Sequence, residues 1–265
     1  MIRFAAFVAT SLTFSLASLR AEPAVFVDLP GGMIIGAKGE GGWQTSEQAG
    51  KELKAGRLFR LYTLDGLIGE ATGGKPTPNP DVCPDIWELT LSPAADQSAI
   101  GVAAPWDPSP RMARKADVSQ AVYQEAVRDF LIEKGFRDPV VGITELLRVD
   151  LDGDGEDEVL LGATNYSVEP DTTPETAAAG NYSFVLLRHI VDGKVRAQLV
   201  DGEFYPKPDA MATPNRYKVR GLLDLDGDGI LEIVVESAYY EGGGIAVWKL
   251  SEGKLSRVLE MACGA

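Results

Sequence analysis

The sequence predicts a mainly β protein of antiparallel, propeller-like four-stranded repeats with one packing helix at about residues 119–135. Three observations support this fold class. Short apolar runs bounded by Gly and Pro fill the first half of the chain, one helical pattern follows, and the second half repeats a strand-loop-strand pattern twice. We expect three parts: a signal peptide (1–21), a β-rich N-terminal region (22–118), and the helix with two β repeats (119–265, with repeats 143–205 and 219–265).

Residues 1–21 have the order of charged and apolar residues that is typical of a secretory signal peptide. Arg3 precedes an apolar run, and Ala21 offers a cleavage point ahead of Glu22. The run is short for a membrane span, although an uncleaved N-terminal anchor is the alternative. We therefore expect a secreted or periplasmic protein whose mature chain has no membrane span.

The chain is strongly acidic, with a formal net charge of -14. Residues 1–21 hold two cations and no acid, so their removal leaves -16. Phosphate backbones would be repelled, which argues against a nucleic-acid partner. Ten of the 39 carboxylates lie in two short loops, 150–158 and 224–232. This concentration indicates a local use for the acids.

Cys83 and Cys263 are the two cysteines of the sequence. Export would bring them to a compartment in which disulfides persist, and only one pairing exists. We predict this disulfide, and two separate thiols are the alternative.

The N-terminal region contains several short strand patterns. A short helix is predicted at 46–54, a tight turn at Asp65-Gly66, and an irregular loop in the Pro-rich stretch 73–84. The stretch PWDPSPR, 105–111, is the predicted boundary to the next part of the chain. The predicted strands are 24–29, 33–36, 57–63, 86–91 and 99–104.

One amphipathic helix is predicted after this boundary. Asp117 or Ser119 is its expected N-cap, and Gly135 is expected to end it. Its apolar side chains fall on one face, so we expect the helix to pack on a sheet. That face consists of Val122, Ala126, Val127, Phe130 and Leu131.

The C-terminal half contains an internal repeat. Residues 148–161 align with 222–235 at an offset of 74, whereas 185–195 align with 245–255 at an offset of 60. The difference of 14 residues predicts a surface insertion in the first repeat, within 163–181.

Each repeat is predicted to have four strands, with an acidic loop after the first strand and a tight turn after the third. The tight turns are Asp192-Gly193 and Glu252-Gly253, whose residues tolerate positive φ. Four antiparallel strands are the form of a propeller blade. Two such units do not close a propeller, so either the N-terminal strands supply further blades or the arrangement is open.

The acidic loop is the motif that carries chemistry, and seven of its nine positions are identical in the two repeats. Carboxylates at positions 1, 3, 5 and 9 and a carbonyl at position 7 can converge on one ion, because glycines at positions 4 and 6 let the chain curl. The predicted ligands are Asp150, Asp152, Asp154, Glu156 (by its carbonyl) and Glu158 in the first loop, and Asp224, Asp226, Asp228, Ile230 (by its carbonyl) and Glu232 in the second.

Calcium is the ion that this ligand set favours. It takes about six to eight oxygens in flexible geometry, whereas magnesium demands a near-octahedral shell and zinc prefers His and Cys. Four crowded carboxylates also cannot all stay ionised without a cation. We therefore predict two bound calcium ions. The alternative is that both loops are solvated acidic turns.

The loops differ from EF-hands. An EF-hand requires Glu at loop position 12, where this chain has Leu161 and Val235, and the flanking segments are typical of strands. The pattern D-x-D-G-D-G-x-x-[DE] before an apolar strand instead resembles the FG-GAP and VCBS-type repeats of integrin-like β-propellers. The resemblance covers about residues 143–265. It implies a Ca²⁺-binding loop between two strands of a blade and no particular biological function.

Few residues outside the two loops indicate catalysis, and no catalytic residue is predicted. His189 is the only histidine, and we expect it at the surface or half-buried in a strand. Tyr239 and Tyr240 are either core tyrosines at a strand end or exposed aromatic residues of a binding surface.

These patterns together predict a secreted, non-catalytic calcium-binding β-repeat module for recognition or scaffolding, with a protein or carbohydrate partner. The alternative is a secreted carbohydrate-active hydrolase that uses the repeats as a frame. That function requires paired carboxylates outside the two loops. A third hypothesis is a ligand-sequestering inhibitor that uses residues 167–181.

Overall fold

The computed structural model describes residues 22–166 and 173–264. The predicted signal peptide lies outside the described residues, as does part of the predicted insertion in the first repeat. Within the described ranges, no helix is long and apolar enough to cross a membrane.

Antiparallel strands dominate the described residues, which confirms the predicted mainly β fold class. Helix α1 (Ser46–Glu52) lies in the N-terminal region, and α2 (Ala121–Glu133) precedes the repeats. The strands of the N-terminal region are β1 (Ala24–Leu29), β2 (Met33–Gly39), β3 (Gly42–Gln44), β4 (Leu58–Thr63), β5 (Gly66–Gly73), β6 (Thr77–Asn79), β7 (Cys83–Glu88), β8 (Leu91–Ser92), β9 (Ala99–Ala103) and β10 (Arg114–Lys115).

Each repeat forms its own antiparallel meander, which is the predicted blade form. The first is β11 (Ile143–Val149), β12 (Glu158–Thr164), β13 (Asn181–Val191) and β14 (Lys194–Tyr205), with β10 added beside β11. The second is β15 (Arg216–Leu223), β16 (Glu232–Tyr239), β17 (Gly242–Ser251) and β18 (Lys254–Gly264). The N-terminal strands form a separate sheet in the order β6-β7-β2-β1-β9-β4-β5-β8, with β3 paired to β2.

The sheet of the second repeat lies between the other two sheets. Val234 packs in one core cluster with Phe26 of the N-terminal sheet. Its neighbours Ile233 and Val235 pack in another cluster with Leu160 of the first repeat. Successive side chains of a strand point to opposite faces, so a continuous apolar run in β16 serves two cores at once.

The helices cover the outer faces of this stack. Ala49 of α1 packs against the N-terminal sheet, and Leu131 of α2 packs against the first repeat. The predicted packing role of the second helix is therefore confirmed. Its apolar face is rotated from the predicted one, because Tyr123 is buried whereas Val122 is 54% exposed.

The predicted N-cap of α2 is wrong. Gln120 precedes the helix and makes no side-chain capping bond. Asp117 instead accepts hydrogen bonds from the backbone N–H and from the hydroxyl of Ser119, both at 2.9 Å. The side chains of Asp117 and Ser119 are therefore hydrogen-bonded to each other in a local turn before the helix, and this turn competes with capping of the helix. The helix ends as predicted, before Gly135, which has φ +94°.

Two predicted hairpin turns are confirmed, and one is displaced by a residue. Asp192-Gly193 and Glu252-Gly253 connect their strands with positive φ at all four residues. In the N-terminal sheet, Thr63 pairs with Gly66, so the turn is Leu64-Asp65 and not Asp65-Gly66. The side-chain pattern alone cannot distinguish these two registers, because the strands pair irregularly at Leu61.

The sequence predicted an irregular loop for the Pro-rich stretch 73–84, and this prediction is wrong in part. The stretch contains β6, in which Pro78 pairs with Trp87 of β7. β6 is an edge strand of the sheet, where a proline without an N–H group is tolerated because one side of the strand has no neighbouring strand to bond. The predicted strand 86–91 is likewise divided between the end of β7 and β8.

The predicted disulfide is confirmed. Cys83 of β7 and Cys263 of β18 are bonded, with a Cα–Cα distance of 5.6 Å and a sequence separation of 180. The bridge joins the N-terminal sheet covalently to the sheet of the second repeat.

Candidate metal centres

The two acidic loops connect the first two strands of each repeat in the same register. Val149 pairs with Glu158 in the first repeat, and Leu223 pairs with Glu232 in the second. The glycines at loop positions 4 and 6 all have φ between +79° and +92°, a region that favours glycine. The local sequence therefore determines both the curl and its closure.

Backbone hydrogen bonds fold the first loop around its carboxylates. Asp150 accepts the N–H groups of Gly153 at 2.6 Å and Gly155 at 3.2 Å. Glu158 accepts the N–H of Leu151 at 2.8 Å. These bonds orient the carboxylates at positions 1 and 9.

The second loop repeats this pattern residue by residue. Asp224 accepts the N–H groups of Gly227 at 2.7 Å and Gly229 at 3.0 Å. Glu232 accepts the N–H of Leu225 at 2.7 Å. Two segments 74 residues apart therefore share these three internal hydrogen bonds.

Three carboxylates converge in each loop, with oxygen atoms within 4.8 Å of one another, and each group can hold a metal ion. The groups are Asp150, Asp152 and Glu158 in the first loop, and Asp224, Asp226 and Glu232 in the second.

The remaining predicted ligands lie beside these groups. Asp154 accepts the N–H of Glu156 at 2.8 Å, and Asp228 accepts the N–H of Ile230 at 2.9 Å. The carboxylates of Asp154 and Asp228 are therefore hydrogen-bonded within their own loops. The roles of these carboxylates, and of the carbonyl groups at position 7, stay predictions.

The glutamates at position 9 are buried in both loops. Glu158 is 6% exposed and Glu232 is fully buried. Burial, together with the neighbouring aspartates, raises the pKa of Glu158 to about 7. Burial also raises the pKa of Glu232 to about 7, despite hydrogen bonds from Lys249 and Leu225. Both carboxylates thus need a partner in order to be ionised without cost.

Lys249 of β17 provides that partner in the second loop. Its Nζ lies 2.9 Å from Asp226 Oδ2, 2.7 Å from Asp228 Oδ2 and 2.9 Å from Glu232 Oε1. Burial lowers the pKa of Lys249, but the three carboxylates outweigh this effect and raise it above its usual range. The second loop is therefore closed around an ammonium group of the chain.

His189 of β13 faces the first loop. With Asp152, Asp154 and Glu158 it lines a cavity of about 390 Å³. The prediction of a surface or half-buried histidine is wrong, since His189 is only 6% exposed. The hairpin of the second repeat covers it, with Gly253 close to the imidazole ring.

The segment 105–111, predicted as a domain boundary, runs along both loops. Arg111 donates to the carbonyl oxygens of Asp150 at 2.6 Å, Leu151 at 3.0 Å and Gly229 at 2.5 Å. Trp106 donates its indole N–H to the carbonyl of Asp224 at 2.9 Å. One guanidinium thus contacts both acidic loops.

Lys249, Arg111 and Trp106 were not predicted as part of the site. The sequence did contain an indication for Lys249, because the alignment at an offset of 60 places it at the position equivalent to that of His189 in the first repeat. Arg111 and Trp106 have no counterpart in the repeat pattern, so the sequence offered no comparable signal for them.

No family model, curated protein or solved structure matches this chain. The protein is therefore classified by its own architecture. It is a β protein of stacked antiparallel sheets with two acidic clusters that can hold metal ions.

Proposed function

We propose that the protein is a secreted or periplasmic calcium-binding β-repeat module, without catalytic activity, that serves recognition or scaffolding. Each acidic loop binds one structural Ca²⁺. The observation that carries this proposal is that the carboxylates at positions 1 and 9 accept the same three backbone N–H groups in two loops 74 residues apart, and that three carboxylates converge in each loop. A solvated turn has no need to repeat such an arrangement around buried glutamates.

The ligand chemistry favours calcium over the other common divalent ions. Both groups of converging side chains consist of carboxylates alone, which suit a hard cation with flexible coordination. A histidine does lie beside the first loop, as a zinc site would need, but its Nε2 is hydrogen-bonded to Gln198.

The location of the loops gives the ions a structural role. Arg111 contacts the backbone of both loops, and the loops join strands of the two repeat sheets. An ion that fixes one loop therefore also fixes strands of the core. At a calcium concentration ~100 times Kd, each site would add about 2.7 kcal/mol to the free energy of unfolding.

Isothermal titration calorimetry with CaCl₂ tests the proposal. The wild type is expected to bind two ions per chain, and the double variant Asp150→Asn/Asp152→Asn to lose one of them. Asp96→Asn is a suitable control, because it removes one exposed carboxylate from the N-terminal sheet region. Binding that is absent from the wild type, or that survives in the double variant unchanged, would contradict the proposal.

A carbohydrate-active hydrolase is a second candidate, because one carboxylate pair outside the loops shares a cavity. Asp28 and Glu236 line a cavity of about 330 Å³, and burial raises the pKa of Asp28, as a general acid requires. Arg220 contacts both carboxylates, at 3.1 Å and 3.3 Å, which favours a structural role for the pair.

A reducing-sugar assay on soluble polysaccharides decides between the two functions. The hydrolase predicts sugar release that is abolished in both Asp28→Asn and Glu236→Gln. The module predicts no release by the wild type.

A further inference from the structure

Lys249 and His189 occupy equivalent positions in the two repeats. Lys249 pairs with Ser256 across its hairpin, and His189 pairs with Arg196, so both alignments hold at an offset of 60. Each residue lies in the third strand of its repeat, facing the acidic loop of that repeat. The repeats therefore differ at a strand position that faces the acidic loop.

The two side chains engage different partners. Lys249 Nζ contacts three carboxylates of the second loop. His189 Nε2 instead bonds the side-chain amide of Gln198, which also donates to the carbonyl of Gly253 at 2.7 Å. The histidine is therefore tied to the neighbouring hairpin turn rather than to the acids beside it.

The second loop retains a ligand atom that the ammonium does not use. The side chain of Asp226 is only 10% exposed, and its Oδ2 accepts from Lys249. Its Oδ1 is buried without a hydrogen-bond partner in the described structure. An unpaired buried carboxylate oxygen costs free energy unless a ligand binds it. This atom therefore indicates that the cluster can take a ligand other than Lys249.

We propose that Lys249 is the affinity-determining residue of the second loop, where it acts as a tethered cation that calcium must displace. The inference rests on the proposed function, since it concerns the same two sites. The first loop, with His189 at the equivalent position, binds calcium without this competition. The two sites consequently fill at different calcium concentrations, the first before the second.

The tethered cation also gives the second loop a calcium-free folded form. Without an ion, Lys249 neutralises part of the charge of Asp226, Asp228 and Glu232. Like charges this close repel strongly in a partly buried site, so a neutral residue in place of Lys249 leaves them unbalanced until calcium arrives. The first loop has no lysine in this position and depends on the ion.

Calcium titrations of Lys249→Met test this inference. The double variant Asp150→Asn/Asp152→Asn serves as the background, because it leaves only the second loop to bind. In this background, Lys249→Met is expected to raise calcium affinity at least about tenfold, since one competing positive charge is removed. Lys254→Met is the matched control, because it removes an exposed lysine from the same hairpin without touching the loop, and it is expected to leave affinity unchanged.

The reciprocal variant His189→Lys keeps the test valid if the double-variant background does not fold. A lysine at this position is expected to weaken the first site at least about tenfold and to change the affinity of the second site far less. Thermal denaturation gives a second readout for Lys249→Met in the otherwise wild-type chain. In chelator, we expect Lys249→Met to have a lower melting temperature than the wild type. In saturating calcium, we expect this difference in melting temperature to disappear or to change sign.

The outcomes separate this inference from the proposed function. Two wild-type sites of equal affinity, or a Lys249→Met variant whose second site is unchanged or weaker, would overturn the inference and leave the calcium module intact. A wild type and variants that bind no calcium at either loop would overturn both.

Discussion

The backbone N–H of Leu231 donates to the carbonyl oxygen of Leu151 at 2.8 Å and joins the two acidic loops directly. Leu231 lies in the second loop and Leu151 in the first, and both side chains are fully buried in the core between the repeats. The two candidate metal centres therefore share a hydrogen bond and a core. Binding in one loop is expected to affect the stability of the other.

Removal of calcium is expected to lower the melting temperature by several degrees. Each ion at ~100 times its Kd contributes about 2.7 kcal/mol, which is large against the marginal stability of a domain. Scanning calorimetry in calcium and in excess chelator measures the shift, with magnesium added as the control for divalent charge. Superimposable melting curves would count against structural calcium.

Arg111→Ala is expected to weaken both loops. The variant loses three hydrogen bonds to the carbonyl groups of Asp150, Leu151 and Gly229, at a cost of about 2 kcal/mol or more. Urea denaturation measures the loss, and calorimetry should show lower calcium affinity at both sites.

Two further variants isolate the role of the guanidinium at position 111. Arg111→Lys keeps the charge but not the planar fork, so only part of the stability should return. Arg137→Ala removes an exposed arginine after α2 and should change neither measurement. An effect of Arg111→Ala on one loop alone would show that the loops are independent.

Calcium affinity is expected to fall as the pH decreases below about 7. At lower pH, protons compete with the ion for Glu158 and Glu232, whose pKa values are both raised to about 7 in the metal-free protein. Calorimetric titrations at about pH 5.5, 6.5 and 7.5 measure this dependence. A constant affinity across this range would contradict the assignment of these glutamates as ligands.

The stability of the calcium-free protein should have the opposite dependence on pH. A carboxyl group with a raised folded-state pKa binds its proton more tightly when folded, so it stabilises the fold at low pH. This contribution is lost as the pH rises from the ordinary value of 4.5 to about 7. We expect melting temperatures in chelator to decrease over this range, and less so in Glu158→Gln/Glu232→Gln.

Reduction of the disulfide should destabilise the contact between the N-terminal sheet and the second repeat. The bridge closes a loop across 180 residues, for which chain-entropy estimates give about 5 kcal/mol and measured values are often lower. Urea denaturation of Cys83→Ser/Cys263→Ser, compared with the oxidised wild type, tests this expectation. An unchanged midpoint would show that the packing of Phe26 against Val234 holds the sheets without it.

Much of the fold could be predicted because its signals are local. The Asp-Gly and Glu-Gly turns, the stop at Gly135 and the two acidic loops each depend on residues close together in sequence. Even the insertion was located from the repeat alone, and it lies between β12 and β13. The helix start at Ala121 could not be predicted, because a side chain such as that of Asp117 can form either a helix cap or a local turn, and in the structure it forms the turn with Ser119.

The sequence by itself determined the class of fold, the two loops and the residues that close them, because backbone curl and strand alternation follow from contiguous residues. Only the tertiary structure decided what meets those loops. Lys249 is 17 to 23 residues from the acids that it contacts, and the pairing of β16 with β17 brings it to them. Arg111 lies about 40 residues from one loop and 118 from the other. Contacts over such separations depend on strand register and sheet packing, which short-range patterns do not encode.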